Sequence, residues 1–370
     1  MRMMQRPKPP FRADMVGSLL RPSGIQEARA RHAAKKISDA SLREVEDREI
    51  QAVVRTEEAI GLKAVTDGEF RRSWWHFDFF RALVGCELRH SDHSIQFHGV
   101  QTKAEAVVVT GRIDFPSDHP MLGHFRFLKG IAHVTPKMTI PSPSVLHFRQ
   151  GYTAIKPVYP DIDGFFDDLA RAYQKAIRAF YDAGCRYLQL DDVVWAYLCS
   201  EEQRAGARER GDDVDRLPER YARTINKALE AKPRDMTMTM HVCRGNFRST
   251  WISSGGYEPV AEVLLQRLNL DGYFLEYDTE RAGGFEPLRF LPKGPKVVVL
   301  GLITSKDGTL EKKDDVKRRI DEATRFVPLE QLALSPQCGF ASTEEGNVLT
   351  EDAQWAKLRE IVEIAEEVWG

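Results

Sequence analysis

No stretch of this chain approaches the roughly 18 to 20 consecutive apolar residues that a bilayer-spanning helix needs. Its opening residues, MRMMQRPKPPFRADM, lack the apolar core of a secretory signal. A membrane or secreted protein is therefore not expected, and the reading is cytoplasmic. Cysteine is scarce: Cys86, Cys185, Cys199, Cys243 and Cys338 are odd in number and far apart, which excludes a disulfide framework and fits a reducing compartment. Charge of one sign is also lacking, because 53 Lys and Arg are interspersed with 55 Asp and Glu for a net charge of -2. No long-range field then favours nucleic acid or an anionic membrane, and small molecules are the expected partners. Internal repeats and low-complexity linkers are missing too, so the 370 residues read as one domain with a large core.

What is present is a series of short apolar or β-branched runs, each ending in polar, Gly or Pro residues and most followed by a helical pattern. That alternation predicts βα units. Eight such runs are expected as strands, at 12–18, 62–68, 137–143, 185–192, 236–243, 272–278, 296–303 and 331–338. Helices are expected at 41–60, 163–183, 215–230, 257–268, 313–325 and 351–368. The count matches an α/β fold of the (β/α)8 TIM-barrel kind over residues 11–370. Residues 88–133 carry the strand-like stretches SIQFHGV, AEAVVVTGRI and HFRFLKGIAHV, expected as an antiparallel insertion after the second barrel strand. Residues 1–10 are expected as a mobile tail.

In such a barrel the active site lies where the strands end, because the βα loops converge there. His241 and Cys243 close the run MTMTMHVC, and residues i and i+2 of a strand face the same side, so the pair can offer an imidazole and a thiolate to one ion. Alone, an H-x-C in an apolar strand is ordinarily a core thiol beside a hydrogen-bonded imidazole. Glu276 in LEYD and Cys338 in SPQCGFAST end other strands and complete a four-ligand set, whose two sulfurs with N and O donors suit Zn2+. Ligands on three separate segments of a fold that is stable without them point to a metal that does chemistry. Ser18, Glu69 and Asp191 also fall at strand ends. Of the adjacent pair Asp191 and Asp192, at least one is expected to face the mouth or cap the next helix. Cys86, Cys185 and Cys199, in or near helical segments, read as packing residues. Lys306 reads as an exposed loop lysine.

MVGSLLRP, TDGEFRRS, LQLDD, HVC, LEYD and LSPQCGFAST, in this order, resemble the catalytic C-terminal barrel of cobalamin-independent methionine synthase and, more closely, its short single-barrel relatives. The resemblance covers nearly the whole chain from residue 11. It implies zinc-dependent transfer of a methyl group to a thiol, with His241, Cys243, Glu276 and Cys338 as metal-ligating catalytic residues. It also implies homocysteine as acceptor, held by Ser18, Glu69 and Asp191, and a methylated folate as donor. The long enzymes have two barrels where this chain has one. Their D-E-P after the fourth strand is Asp191-Asp192-Val193 here, and the histidine expected to protonate the folate is replaced around Thr304-Ser305-Lys306. The tryptophan of their folate site falls near His147-Phe148. The thiol-activating half is thus intact and the donor half rewritten, which leaves a methylfolate, a methylated corrinoid protein and another small methyl donor all open. A second reaction class is zinc-dependent addition of a coenzyme M type thiol to an epoxide, for which Arg71 or Arg72 would clamp the sulfonate. Glu69 and Asp191 argue instead for an ammonium group. A third reading is a zinc-stabilised binding protein that unfolds without metal. Homo-oligomerisation is left open.

Overall fold

A computed structural model describes residues 6–90, 96–102 and 104–370. Numbered along the chain, its strands are β1 (Ala64–Val65), β2 (Val84–His90), β3 (Gln96–Phe97), β4 (Val100–Gln101), β5 (Glu105–Asp114), β6 (Thr135–Pro141), β7 (Tyr187–Asp192), β8 (Thr237–Val242), β9 (Gly272–Glu276), β10 (Val297–Ile303) and β11 (Leu332–Pro336). Seven of them form one curled parallel sheet in the order β1-β6-β7-β8-β9-β10-β11, the arrangement of a TIM-like barrel. The strand β10, VVVLGLI, is buried at every position, as expected where a parallel strand is covered on both faces. The covering helices include Asp39–Ala59, Ile162–Asp182, Leu217–Leu229, Lys313–Thr324 and Glu351–Trp369. In Ile162–Asp182, Phe165, Phe166, Leu169, Tyr173, Ala176, Ile177 and Phe180 make the buried stripe that a 3.6-residue period requires. No helix among the described residues is long and apolar enough to cross a membrane.

The expected first strand, 12–18, is corrected. It lies between the sheet edges β11 and β1 but makes only an isolated parallel bridge, Ala13 to Leu334. Asp14 N donates to Leu334 O (3.0 Å), Leu334 N to Arg12 O (2.8 Å), and on the other flank Thr66 Oγ1 to Gly17 O (2.7 Å) and Leu19 N to Gly68 O (3.1 Å). Side-chain bonds replace the rest of a ladder. Buried Asp14 accepts from Phe11 N, Met15 N and the Tyr187 hydroxyl at 2.8 to 3.0 Å, and pairs with Lys137 at 3.2 Å.

Within 88–133, β2 and β5 pair antiparallel, with Cys86 opposite Val109, and β3 pairs antiparallel with β4. Part of SIQFHGV, residues 94 and 95, lies outside the described residues. The strand-like reading of HFRFLKGIAHV is wrong: Pro120–Ile131 is a helix. Pro120 starts it, the His119 ring accepts from Met121 N, and Leu122, Phe125 and Leu128 recur every three residues to form its buried face. Expected helix 257–268 is Glu258–Ala261 continued by a π-helical stretch, Glu262–Arg267. Of the expected tail, residues 1–5 lie outside the described residues, and Arg6 Nε donates to the carbonyl of buried Pro10 at 3.0 Å.

Candidate active site and metal centre

Parallel pairing brings the strand ends to one mouth, with Asp191 beside His241 across β7 and β8 and Glu276 beside Gly301 across β9 and β10. Cys243 follows β8 directly, and Cys338 stands two residues beyond β11. One ligand atom from each of His241, Cys243, Glu276 and Cys338 falls within 4.8 Å of the others, and all four residues are buried. The donor set fits zinc on two counts. The sulfurs of Cys243 and Cys338 are 3.6 Å apart, close to the roughly 3.8 Å that two thiolates at about 2.3 Å from a tetrahedral zinc would span. Both ring nitrogens of His241 and Oε2 of Glu276 are buried without a hydrogen-bond partner among the described residues, which polar atoms seldom are unless something else satisfies them. Glu276 is aimed by its other oxygen, which accepts from Arg244 N at 2.8 Å.

The two thiols divide one proton unequally. Donation from Cys243 pulls Cys338 well below the ordinary thiol range, while the Cys338 sulfur and then burial push Cys243 well above it. Burial lowers His241, but the Cys338 sulfur, Asp191 and Glu276 outweigh it and leave the imidazole raised.

His241, Cys243 and Cys338 open onto a cavity of about 30 Å³ that is also lined by Ser18, Glu69 and Asp191. Six of the seven residues expected at the mouth by strand-end position therefore line one space, and the seventh, Glu276, clusters with His241, Cys243 and Cys338. Ser18 Oγ accepts from Ala341 N at 3.3 Å, and Phe340 N donates to Ser18 O at 2.9 Å, so the loop after Cys338 holds Ser18 in place. A side chain at Gly339 would begin 1.9 Å from Ser18 Oγ. Glu69 sits in the left-handed backbone region with φ 59°. Its carboxylate pairs with Arg72 and accepts from Thr139 Oγ1. Burial, the largest influence, drives Glu69 up to about 7, Arg72 and Thr139 oppose it, and Asp191 adds to the rise. Asp191 accepts from Gln189 Nε2 at 2.8 Å. Asp192 also lines the cavity, and its carboxylate accepts from the Ser144 hydroxyl and from Val194 N and Trp195 N at the start of the short helix Val194–Tyr197.

Several residues differ from their sequence-based reading. Arg71 is bound to Asp47 and Arg72 to Glu69, so neither is an unpaired sulfonate clamp. Lys306 is not an exposed lysine, since its Nζ is buried. Cys86 lies on β2 and not in a helix. Cys86 and Cys185 are buried packing thiols, both pushed up to about 12 by burial. His147 is a core residue: its ring meets the Tyr221 hydroxyl at 2.8 Å, and burial, with Arg220 and Arg210, takes it down to about 3. The sequence reading missed Arg149, Tyr197 and Phe97, which line the cavity together with Trp74 and Trp75. The aromatic run SWWHFDFF pointed to the tryptophans. Nothing local marks Arg149, which lies on the helix Pro143–Gln150.

The family model described as cobalamin-independent synthase, catalytic domain, matches residues 11–367. Among curated proteins, the chain is 56% identical over 363 residues to the uncharacterized protein YxjH of Bacillus subtilis (strain 168), covering 98% of this chain and 96% of that one. Among solved structures, it is 45% identical to the proposed vitamin-B12 independent methionine synthase of Listeria monocytogenes, with a TM-score of 0.79 over 98% of both chains. A B12-independent methionine synthase from Shewanella sp. W3-18-1, in complex with selenomethionine, shares the fold at 17% identity, with a TM-score of 0.69 over 96% of both chains.

Proposed function

This chain belongs to the family of the cobalamin-independent synthase catalytic domain, and from that premise we propose that it moves a methyl group onto the thiol of homocysteine, forming methionine, with zinc held by His241, Cys243, Glu276 and Cys338. The observation that carries this reading is that three of the four clustered donor residues, His241, Cys243 and Cys338, line one cavity with two carboxylates, Glu69 and Asp191. Zinc, when bound, supplies the Lewis acidity that keeps a thiol ionised near neutral pH, where a free thiol with its pKa near roughly 8.5 is mostly protonated. The chain's own residues do the rest. Glu69 and Asp191 attract an α-ammonium group, and Ser18 stands beside them at the first segment for the amino acid's other end. Fixing the acceptor at that end orients its sulfur toward the ligand cluster, which removes much of the entropic barrier to transfer. The burial of Glu69, Asp191 and the four clustered donor residues strengthens each of these electrostatic contacts.

The donor in this reading is a small methylated molecule, of which a methylated folate is the first candidate. Trp74, Trp75, Phe97 and Tyr197 give the cavity an aromatic side suited to a flat ring. Thr304-Ser305-Lys306 stands where the resemblance leads one to expect a proton-donating histidine. A corrinoid protein or another methylated metabolite would use the same thiol-binding half. The second reading, a coenzyme M type acceptor, is favoured by Arg149, which lines the cavity and has no carboxylate partner among the described residues.

Zinc-edge X-ray absorption on the purified protein separates the two. With zinc present, homocysteine is expected to raise the sulfur count by one and coenzyme M to leave it unchanged. A rise with coenzyme M alone would replace the amino-acid acceptor, and absence of zinc would remove the mechanism.

A further inference from the structure

The cavity at the strand ends carries two separate sets of polar groups. One stands on the strands and the first segment and is tied together: Gln189 Nε2 donates to both Val16 O and Asp191 Oδ1 at 2.8 Å, and Glu69 accepts from Thr139 Oγ1. The other comes from beyond the strand ends. Arg149 belongs to the helix Pro143–Gln150 after β6, and Tyr197 to the helix Val194–Tyr197 after β7. These two meet, with Arg149 Nη2 donating to the Tyr197 hydroxyl at 3.3 Å and the guanidinium 5.4 Å from the centre of the Tyr197 ring. Trp74 and Trp75 are held to the loop after Cys338. Trp75 N donates to Ser342 O at 3.1 Å, Trp74 bridges to Thr343, and Ser342 Oγ is 3.9 Å from Cys338 Sγ. Both sets line the same cavity as His241, Cys243 and Cys338.

Of the two arginines that line this cavity, Arg72 is paired with Glu69, whereas Arg149 has no carboxylate partner among the described residues. Arg149 Nε and Trp74 Nε1 are buried without a hydrogen-bond partner among the described residues. Both are donors, so an acceptor is what satisfies them. Beside a guanidinium the favoured acceptor is an anionic oxygen, above all a carboxylate. In the reading above, the amino acid that accepts the methyl group is met at the strands, by Glu69, Asp191 and Ser18. A second anion site elsewhere in the cavity fits the molecule that gives the methyl group. Because Arg149 and the three ligand residues line one cavity, a molecule that touches both is short.

The same surroundings select how the methyl group is carried. A methyl on a sulfonium or quaternary ammonium centre brings positive charge toward Glu69, Asp191 and the clustered thiols, and opposite charges a few ångströms apart attract. Its departure needs no proton, whereas a neutral methylated amine must be protonated as it leaves. Trp74, Trp75, Phe97 and Arg149 yield no proton near neutral pH, and burial pushes the Tyr197 hydroxyl up. We infer that the cavity takes a short onium carboxylate as methyl donor, with its carboxylate on Arg149 and its methyl group toward the ligand cluster. This rests on the acceptor reading above and names one class among the donors left open there. The acceptor thiolate attacks the methyl carbon, and the new C–S bond forms as the bond from methyl to the onium atom breaks. The electron pair stays on that atom, which leaves as a neutral thioether or tertiary amine still bearing the carboxylate. The acceptor's thiol proton goes to solvent.

Binding and turnover test this separately, both on zinc-loaded protein, unsubstituted and as Arg149→Met and Arg149→Lys. Calorimetry compares (methylthio)acetate with 2-(methylthio)ethanol, which differ in the anionic group. The unsubstituted protein is expected to bind the acid about tenfold or more tightly, the worth of a hydrogen bond to a charged group. Arg149→Met should erase that preference and Arg149→Lys regain part of it, while the methionine Kd in Arg149→Met stays within about twofold. For turnover, dimethylsulfonioacetate and trimethylglycine are offered with homocysteine, and at least one is expected to yield methionine. Arg149→Met should raise KM for that donor about tenfold or more with kcat changed less than about threefold, the signature of lost binding. Equal affinity for the acid and the alcohol would overturn the inference, as would methionine formation from neither onium acid or a fall in kcat alone. Weaker methionine binding in Arg149→Met would overturn it too, by moving Arg149 to the acceptor's carboxylate. If the unsubstituted protein binds neither homocysteine nor methionine, the acceptor reading fails, and the comparison of acid with alcohol still decides the role of Arg149.

Discussion

Glu69 combines an unusual backbone with an unusual charge state. A non-glycine residue at φ 59° costs on the order of 1–3 kcal/mol and persists only where its surroundings enforce it. The enforcement is visible: Glu69 N donates to Asp67 Oδ1 at 2.9 Å, and Gly17 leaves room where a side chain would begin 2.6 Å from Glu69 Oε1. With its carboxyl raised to about 7, first by burial, Glu69 is neutral below that pH and ionised above it. An ammonium group is attracted only to the ionised form. Methionine, which carries the ammonium but no ionisable thiol, is therefore expected to bind about tenfold more tightly at pH 8 than at pH 6. Glu69→Gln should flatten that dependence, and calorimetry at the two pH values checks both. A pH-independent affinity in the unsubstituted protein would remove Glu69 from ammonium recognition. Asp191 and Asp192 show how fine the residue scale is: both line the cavity, yet Asp191 accepts from Gln189, while Asp192 is held by the Ser144 hydroxyl and the amides of Val194 and Trp195.

At the scale of elements, the site depends on how closely β9, β10 and β11 approach at their ends. Gly301 of β10 lies between them, opposite both Glu276 and Ser335, and the pairing with β11 shifts register just beyond it. A methyl group there would begin 2.7 Å from Gln337 Cα and 3.0 Å from Leu275 O. Both contacts are backbone, so the strands themselves must move. Gly301→Ala is expected to cost about 1–3 kcal/mol by overpacking and to shift Cys338 relative to Glu276. Denaturant unfolding together with zinc content after dialysis reports this, and an unchanged zinc content with unchanged stability would show that the strand ends tolerate the movement. The helix Pro120–Ile131 teaches a different lesson about elements. HFRF alternates aromatic residues with polar ones as a strand would, yet Leu122, Phe125 and Leu128 also satisfy a helical stripe. Pro120 and the ring of His119 decide for the helix by starting it.

On the scale of the whole molecule, the four residues proposed to hold the metal are a small part of a fold with a large apolar core. Most buried apolar side chains of the sheet and its surrounding helices form one continuous cluster that reaches from Met15 to Trp369, and Val16, Phe274, Val297, Val299 and Ala333 form a smaller one. Chelation is accordingly expected to leave the far-UV circular dichroism and a single cooperative melt intact, with Tm lowered only through loss of ligand linkage. Unfolding at room temperature on adding chelator would mean that the metal is structural. Much of this arrangement could be read from the chain alone. His241 and Cys243 two apart at a strand end, with Glu276 and Cys338 at others, predicted that these four side chains converge, because strand direction and side-chain alternation are local properties. The runs at 137–143, 185–192, 236–243 and 296–303 were legible as strands for the same reason. Local rules do not reach the remainder. Whether 12–18 forms a regular strand depends on Asp14 meeting Lys137 and Tyr187. Whether Lys306 is exposed depends on Ser305 meeting Gln337, 32 residues away. Arg149 joins the cavity only because its helix packs at the mouth. Periodicity and residue type specify elements and their chemically active ends, whereas the burial of a loop side chain, and which neighbour satisfies its charge, follow from contacts between distant parts of the chain that exist only once the barrel has closed.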